Sequence, residues 1–311
     1  MTDHEVSTPL RPRPEIDAID LALLAELRRD GRATYEALSR ALGLSRPAAR
    51  ARTLRLLDSG VVQVVGVVHP SVFGLTAYAH LSVTVEGPVL AVADRIAVFD
   101  DVPFVSVVAG RHSLVAELRS ADQTVLAATI GRIGALPGVQ RVETSVYTAI
   151  LKDTYFPPGP YSPTALDEID RRLLACLQRD GRSAFADLGE AVGLSTSAAR
   201  TRVLRLLESG TVHIGTRVSP GPLGLAQVLG FQLTFTGRPE EAVERVRQMG
   251  QVHYLATAIG HCDAVGTAVG HSLDGLLQLL EDIRAIRGVR SVGSWTHLRV
   301  VKETYEWPLA P

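Results

Sequence analysis

The sequence predicts an α+β protein built twice over, each copy made of three short helices followed by a βαββαβ unit. Three observations predict it: a repeat at one fixed offset, a helical apolar period opening each copy, and an alternation of strand-like and helical text behind it. The stretch LLAELRRDGRATYEALSRALGLSRPAARARTLRLLDSG at 23–60 recurs as LLACLQRDGRSAFADLGEAVGLSTSAARTRVLRLLESG at 173–210. The offset is 150, and from Ile19 to Gly60, 25 of 42 positions are identical to the residue 150 further on, without a gap. The register persists more weakly through Pro70 and Pro220, Gly74-Leu75 and Gly224-Leu225, Gly110 and Gly260, Gly138-Val139 and Gly288-Val289, and Lys152, Thr154, Tyr155 with Lys302, Thr304, Tyr305. Between the copies FPPGPYSPT (156–164) has the proline density of an extended linker. The chain therefore divides into 15–68 and 69–155, the linker, then 165–218 and 219–306.

In the first part of each copy, Ile16, Ile19, Leu23, Leu24 and Leu27 fall on one face of a helix, with Asp17 placed to cap its start and Asp30-Gly31 to end it. A second helix is predicted from about Thr34 to Leu42, and Gly43-Leu44 turns the chain before Ser45 caps a third helix running to Leu57. Three short helices whose last two are joined by a tight glycine turn form a helix-turn-helix. Val61 to Val68 is β-branched and reads as a short wing or exit strand. The second part predicts strands at 75–85, 102–109, 113–119 and 139–151 with helices at 88–100 and 122–136. That order is a ferredoxin-like sheet with both helices on one face. Strands such as VPFVSVVAG and YLATAIG carry apolar residues on both sides of the pleat, so the two sheets are expected to pack against each other.

Net charge is −1 over 311 residues, so a nucleic-acid partner requires a local basic surface. The third helix supplies one: Arg46, Arg50, Arg52 and Arg55 with no acidic residue among 45–57, and Arg200, Arg202 and Arg205 in its copy. Ala49, Thr53, Leu56 and Leu57 point inward. Arg52/Arg202 and Arg55/Arg205, identical in both copies, are expected to grip phosphates. The residues that differ, Arg46, Pro47 and Ala51 against Thr196, Ser197 and Thr201, are expected to read bases, guanine through Arg46 in the first copy and hydroxyl contacts in the second. Ser45 and Ser195 complete the two predicted DNA-facing sets. The competing reading is a solvated arginine face on an ordinary surface helix.

Other chemistry finds little support. Cys176 and Cys262 are too few for a disulfide framework or an all-cysteine metal site, and fit a reducing cytoplasm. No apolar run reaches the length of a membrane span, and MTDHEVSTPLRPRPE is too polar for a signal peptide. His261, Cys262 and Asp263 are three potential metal ligands in a row, but adjacent side chains diverge, and no metal is expected there. Cys176 lies on an apolar helix face. GHSLDG at 270–275 lacks the second glycine of a nucleophile elbow, and the glycines of GHCDAVGTAVG are not followed by the Lys-Ser/Thr of a phosphate loop.

Taken together, Asp17-x-x-Asp20-x-x-Leu23-Leu24, Asp30-Gly31-Arg32, Gly43-Leu44-Ser45 with Arg52, Leu56 and Gly60, Pro70-x-x-x-Gly74-Leu75 and Pro137-Gly138-Val139 resemble the Lrp/AsnC (feast/famine) family of bacterial and archaeal regulators. Asp167, Asp170, Leu173, Leu174, Asp180, Gly181, Arg182, Gly193, Leu194, Ser195, Arg202, Leu206, Gly210, Pro220, Gly224, Leu225, Gly288 and Val289 repeat these carriers, so the resemblance covers both halves. It implies a winged helix-turn-helix followed by a RAM-type domain that dimerises and senses amino acids or related small molecules. Members resemble dimers that assemble further, and this chain resembles such a dimer fused into one polypeptide. The family's effector loop reads Gly-x-x-Asp. The second copy keeps it as Gly260-His261-Cys262-Asp263, and the first reads Gly110-Arg111-His112-Ser113, without the carboxylate. Ala109 and Ile259 stand where the family has a threonine. The expected function is a sequence-specific, DNA-binding transcriptional regulator, not an enzyme, acting as a covalent pseudo-dimer. It would respond to a small-molecule effector mainly through the second half and need no other cofactor. Double-stranded DNA, the effector and further copies of the chain through the RAM-type domains are the expected partners, with no membrane. The alternative is an enzyme similar to the siroheme decarboxylases, which resemble the same fold. Degenerate recognition helices and a histidine and arginine array facing a tetrapyrrole cavity would mark it; His69 and His213, not being equivalent positions, argue against a symmetric haem-type site.

Overall fold

The computed structural model describes residues 16–60, 62–154, 161–162, 164–218, 227–270 and 272–304. Most of the predicted linker, Tyr155, Tyr305, Pro220, Gly224 and Leu225 lie outside the described residues. The first copy begins with α1 (Ala18–Arg29), α2 (Tyr35–Leu42) and α3 (Arg46–Asp58). Asp17 and Asp20 form a reciprocal capping box at the start of α1, and Thr34 and Ser45 cap α2 and α3 through their side-chain oxygens. Gly43 ends α2 at φ +65°, in the left-handed region that a Cβ disfavours, which makes the sharp turn between α2 and α3. The second copy repeats these elements as α6 (Glu168–Arg179), α7 (Phe185–Val192) and α8 (Thr196–Glu208). Leu23, Leu24, Leu27, Leu38, Ala49 and Leu56 form the first helical core, and Leu173, Leu174, Leu177, Leu188, Ala199, Val203 and Leu206 the second.

Strands β1 (Val62–Val68) and β6 (Val212–Val218) follow the helical units. They pair with each other, antiparallel, with Val65 opposite Gly215. The segment read as a wing is therefore a bridge between the copies. On either side of this ribbon the two helical units exchange contacts. The Arg32 guanidinium donates to the carbonyls of Gly181 (2.7 Å) and Ser183 (2.9 Å) and lies over the Phe185 ring. Arg182 donates to Gly31 (2.7 Å) and Ala33 (3.1 Å) and lies over Tyr35. Burial, and then the neighbouring Arg182 charge, lower the pKa of Arg32 below the ordinary guanidinium value.

The remaining strands are β2 (Ala77–Val85), β3 (Phe104–Ala109), β4 (Leu114–Ser120) and β5 (Val139–Asp153), with α4 (Val89–Ala97) and α5 (Gln123–Gly134) between them. Their counterparts are β7 (Gln227–Phe235), β8 (Val252–Gly260), β9 (Ala264–Gly270) and β10 (Val289–Glu303), with α9 (Glu240–Gln248) and α10 (Leu273–Arg284). Each set has the predicted ferredoxin-like order, β3-β4-β2-β5 and β10-β7-β9-β8. The expectation that two separate sheets pack face to face is corrected: β5 pairs with β8 and β10 with β3, so the eight strands close into one barrel. Closure pairs all four sheet edges. Ala77, Ala79, Leu81 and Val83 turn outward to α4 and α5, whereas His80 and Glu117 line the interior. Gly230 makes room inside for Trp295, whose ring would lie 2.0 Å from a Cβ at that position.

Replacing Arg32 or Arg182 with alanine removes two charged hydrogen bonds and a cation–π contact across the copies. The expected loss is about 1.5–3 kcal/mol per site. Urea unfolding followed by circular dichroism measures it, and an unchanged midpoint would contradict the assigned role.

Candidate DNA interface and effector loops

The two third helices expose equivalent first turns that carry different side chains. Ser45 and Ser195 are exposed caps, accepting from the backbone N–H groups of Ala48 and Ala198. Arg46, Pro47 and Arg50 on α3, and Thr196, Ser197, Arg200 and Thr201 on α8, are all exposed. Arg46, Arg50 and Arg200 make no ion pair among the described residues, so their guanidinium groups are free for an anionic partner. The Thr201 hydroxyl donates to the Ser197 carbonyl and is partly occupied within the helix.

Arg52, Arg55, Arg202 and Arg205, the residues expected to grip phosphates, also bond carboxylates at the start of the first helix of each copy. Arg52 Nη1 bonds Asp17 Oδ2 (2.6 Å) and Asp20 Oδ1 (2.9 Å), while Arg55 Nη2 reaches the other oxygen of Asp20. Arg202 and Arg205 make the same contacts to Asp167 and Asp170. Asp20 and Asp170 are buried, at 0% and 1% exposure, so their carboxylates need these partners. The backbone N–H of Asp20, and then Arg52, hold the Asp17 carboxyl below its usual pKa, and Asp167 repeats this with Asp170 and Arg202. The arginines identical in both copies thus clamp the third helix to the first.

The four residues of each predicted effector loop separate in space. Asp263 Oδ2 accepts from the backbone N–H of Phe235 (2.8 Å), and in the first copy Ser113 Oγ accepts from the equivalent N–H of Val85 (3.2 Å). Serine and aspartate therefore do the same local work, and the missing carboxylate leaves the first turn intact. Cys262 is buried, its sulfur 3.1 Å from Ser145 Oγ, and burial raises its thiol pKa. His261 and His112, with Arg111, gather around Glu143 on β5, a residue that sequence reasoning missed. The side chains of His261, Cys262 and Asp263 diverge as their adjacency requires. Gly110 and Gly260 lie at the strand ends where the loops begin, against Trp295 and Thr144 respectively.

Inside the barrel is a cavity of about 540 Å³. Its wall includes His80, Tyr147, Tyr254 and His297, with Glu117 and Arg119 paired at 2.8 Å. Val65, Gly66, Val67 and Gly215 of the β1–β6 ribbon also border it, so the cavity touches the bridge between the helical units. Burial, followed by the neighbouring histidines, pushes the His80 pKa down to about 3; burial also takes His297 to about 4. Both are neutral near pH 7.

Two expectations follow. Asp20→Asn or Asp170→Asn keeps the volume but removes the charge that Arg52/Arg55 or Arg202/Arg205 require. The partly exposed arginines moderate the loss, leaving about 2 kcal/mol, measurable by denaturant unfolding. For His80 and His297 the folded pKa lies below the unfolded value of 6.5, so the unfolded chain takes up protons first as pH falls. Their contribution is complete above pH 6.5 and is lost as pH drops toward 4, at about 1.4 kcal/mol per pH unit for each fully titrating histidine. Thermal melting across that range should show a smaller pH dependence in His80→Gln.

Comparison with known proteins agrees with this architecture. A family model of the AsnC-type helix-turn-helix domain matches residues 16–57 and again 166–207, and one of the Lrp/AsnC ligand-binding domain matches 76–156. The HTH-type transcriptional regulator Rv2324 of Mycobacterium tuberculosis is 34% identical over 123 residues, 39% of this chain and 83% of the relative. The HTH-type transcriptional regulator FL11 of Pyrococcus abyssi is 30% identical over 148 residues, 47% of this chain and 97% of the relative. Among solved structures, the siroheme decarboxylase NirDL in complex with an iron-uroporphyrin III analogue superposes with a TM-score of 0.62 at 13% identity, covering 91% of this chain and 92% of its own, a likeness of fold. The recognition helices, their caps and the repeated βαββαβ domain place the chain in the Lrp/AsnC family of helix-turn-helix transcriptional regulators.

Proposed function

We propose that this regulator binds one stretch of double-stranded DNA with α3 and α8 together, as a covalent pseudo-dimer, and responds to a small molecule such as an amino acid through its barrel domain. The observation that carries the reading is the pair of exposed first turns bearing free Arg46, Arg50 and Arg200, held in one frame by the β1–β6 ribbon and the Arg32 and Arg182 contacts. Arg46, Pro47 and Ala51 against Thr196, Ser197 and Thr201 give the two helices different donor sets, which suits an asymmetric operator. Arg52, Arg55, Arg202 and Arg205 support these surfaces from behind. A small molecule in the barrel cavity would bear on the ribbon at Gly66 and Gly215 and so on the spacing of the helices. Further copies of the chain, and a cytoplasmic setting, fit the same role; no described helix is long and apolar enough to cross a membrane.

An enzymatic reading is favoured by one observation, the array of His80, His297 and Arg119 around a cavity large enough for a sizeable ligand. It answers in part to the array expected of a tetrapyrrole enzyme, although both recognition helices remain well formed.

Fluorescence anisotropy with DNA from upstream of the coding sequence, over several salt concentrations, separates the two. Regulator binding weakens steeply with salt. The triple variant Arg46→Ala, Arg50→Ala, Arg200→Ala is expected to lose at least about tenfold in affinity and to flatten the salt slope by about 0.9 per phosphate contact removed. Absence of DNA binding together with a Soret band from bound tetrapyrrole, lost in His80→Ala, would overturn the regulator reading in favour of the enzyme.

A further inference from the structure

We infer that His112, Glu143 and His261 form a binding site for one divalent transition-metal ion per chain, at the place where the two effector loops meet. One donor atom from each of the three lies within 4.8 Å of the other two. Glu143 Oε2 stands 3.2 Å from His112 Nε2 and 2.9 Å from His261 Nε2. Yet Glu143 Oε2 and both ring nitrogens of His112 are buried with no hydrogen-bond partner in the protein. Close approach without an aligned N–H is costly for an ordinary polar network and is the arrangement a shared cation resolves. In a tetrahedral site with bonds of about 2.0–2.2 Å, donor atoms sit roughly 3.3 Å apart, which the two short edges already approach.

The surroundings fit the same role. Arg111 (3.2 Å) and Arg141 (3.0 Å) both bond Glu143 Oε1, which orients the carboxylate and leaves Oε2 to face the imidazoles. His261 is the more exposed of the two histidines, so an ion has a route in and a coordination position open toward solvent. Two imidazoles and one carboxylate suit Zn²⁺, Co²⁺ or Ni²⁺ better than the harder Ca²⁺ or Mg²⁺.

Among the described residues the site occurs once. The residues 150 along from His112 and Glu143 are Cys262 and Gly293, and the residue 150 before His261 is Arg111, so the internal symmetry produces no second set. Three protein ligands with an open position would let a chelating molecule, an amino acid among them, complete the coordination across both copies.

Cobalt titration of the chelator-stripped full chain, read by visible d–d absorption and by metal analysis after desalting, tests the site independently of any DNA activity. The expected result is saturation at one Co²⁺ per chain, displacement by Zn²⁺, and affinity at least about tenfold weaker in His112→Ala and in His261→Ala. Circular dichroism establishes that each variant folds. Should the alanine variants unfold, Glu143→Gln, which preserves shape, is held to the same criterion. No saturable binding by the parent chain, or equal binding by the folded variants, overturns the assignment.

Discussion

A four-stranded ferredoxin-like sheet has two free edges and, once its helices cover one face, an open second face. Here each copy meets the other's edges twice, β5 along β8 and β3 along β10, and that edge pairing is the constraint from which the remaining geometry follows. It turns two open faces into one enclosed interior. It also sets the copies in a fixed mutual orientation, so the strands leaving the helical units can meet as the β1–β6 ribbon and Arg32 and Arg182 can reach each other's backbone. The same closure brings His261, from the loop between β8 and β9, beside Glu143 near the start of β5. Barrel, helix spacing and loop cluster are thus consequences of one set of hydrogen-bonded edges.

Closure also accounts for the polarity of the interior. A solvent-facing sheet would carry ordinary surface residues, and a tightly packed sandwich would carry aliphatic ones. The inner face instead mixes Val115, Val265 and Trp295 with His80, Glu117 and Arg119. Glu117 and Arg119 meet each other at 2.8 Å, and His80 stays neutral through burial.

What could be read from the sequence divides along the range of the interactions. Caps and turns are local, so Asp17, Thr34, Gly43 and Ser45 announced the helices to within a residue or two. The βαββαβ order was equally legible from strand and helix periodicity. The pairing of β5 with β8 joins residues more than 100 positions apart, and no local signal marks an edge as paired; alternation seen as two apolar faces suggested packed sheets instead. Repetition of Arg52 and Arg55 in both copies was read as a phosphate grip, and the structure adds a second duty, the contacts to Asp17 and Asp20. Asp17 and Asp20 repeat alongside them, and a buried acid one turn into α1 could have identified the clamp. Glu143 gave no warning, since it lies about 30 residues from the nearer loop on an otherwise unremarkable strand.

Fusion of the halves changes what symmetry permits. In a homodimer any residue near the twofold axis appears twice, so a cluster such as His112, Glu143 and His261 would either be doubled or be blocked by its own copy. The fused chain keeps symmetry where the frame needs it, at Arg32 and Arg182 and at the two aspartate clamps. It departs from symmetry where a ligand would be met, at Arg46 against Thr196 and at Glu143 against Gly293. Difference alone does not mark function, because Ser113 and Asp263 hold equivalent backbone N–H groups and are interchangeable in that duty. The informative differences are those in which one copy offers a free or unsatisfied donor atom and the other has none. By that criterion the first copy contributes the more basic helix and the carboxylate, and the second supplies the half-buried histidine that completes the cluster.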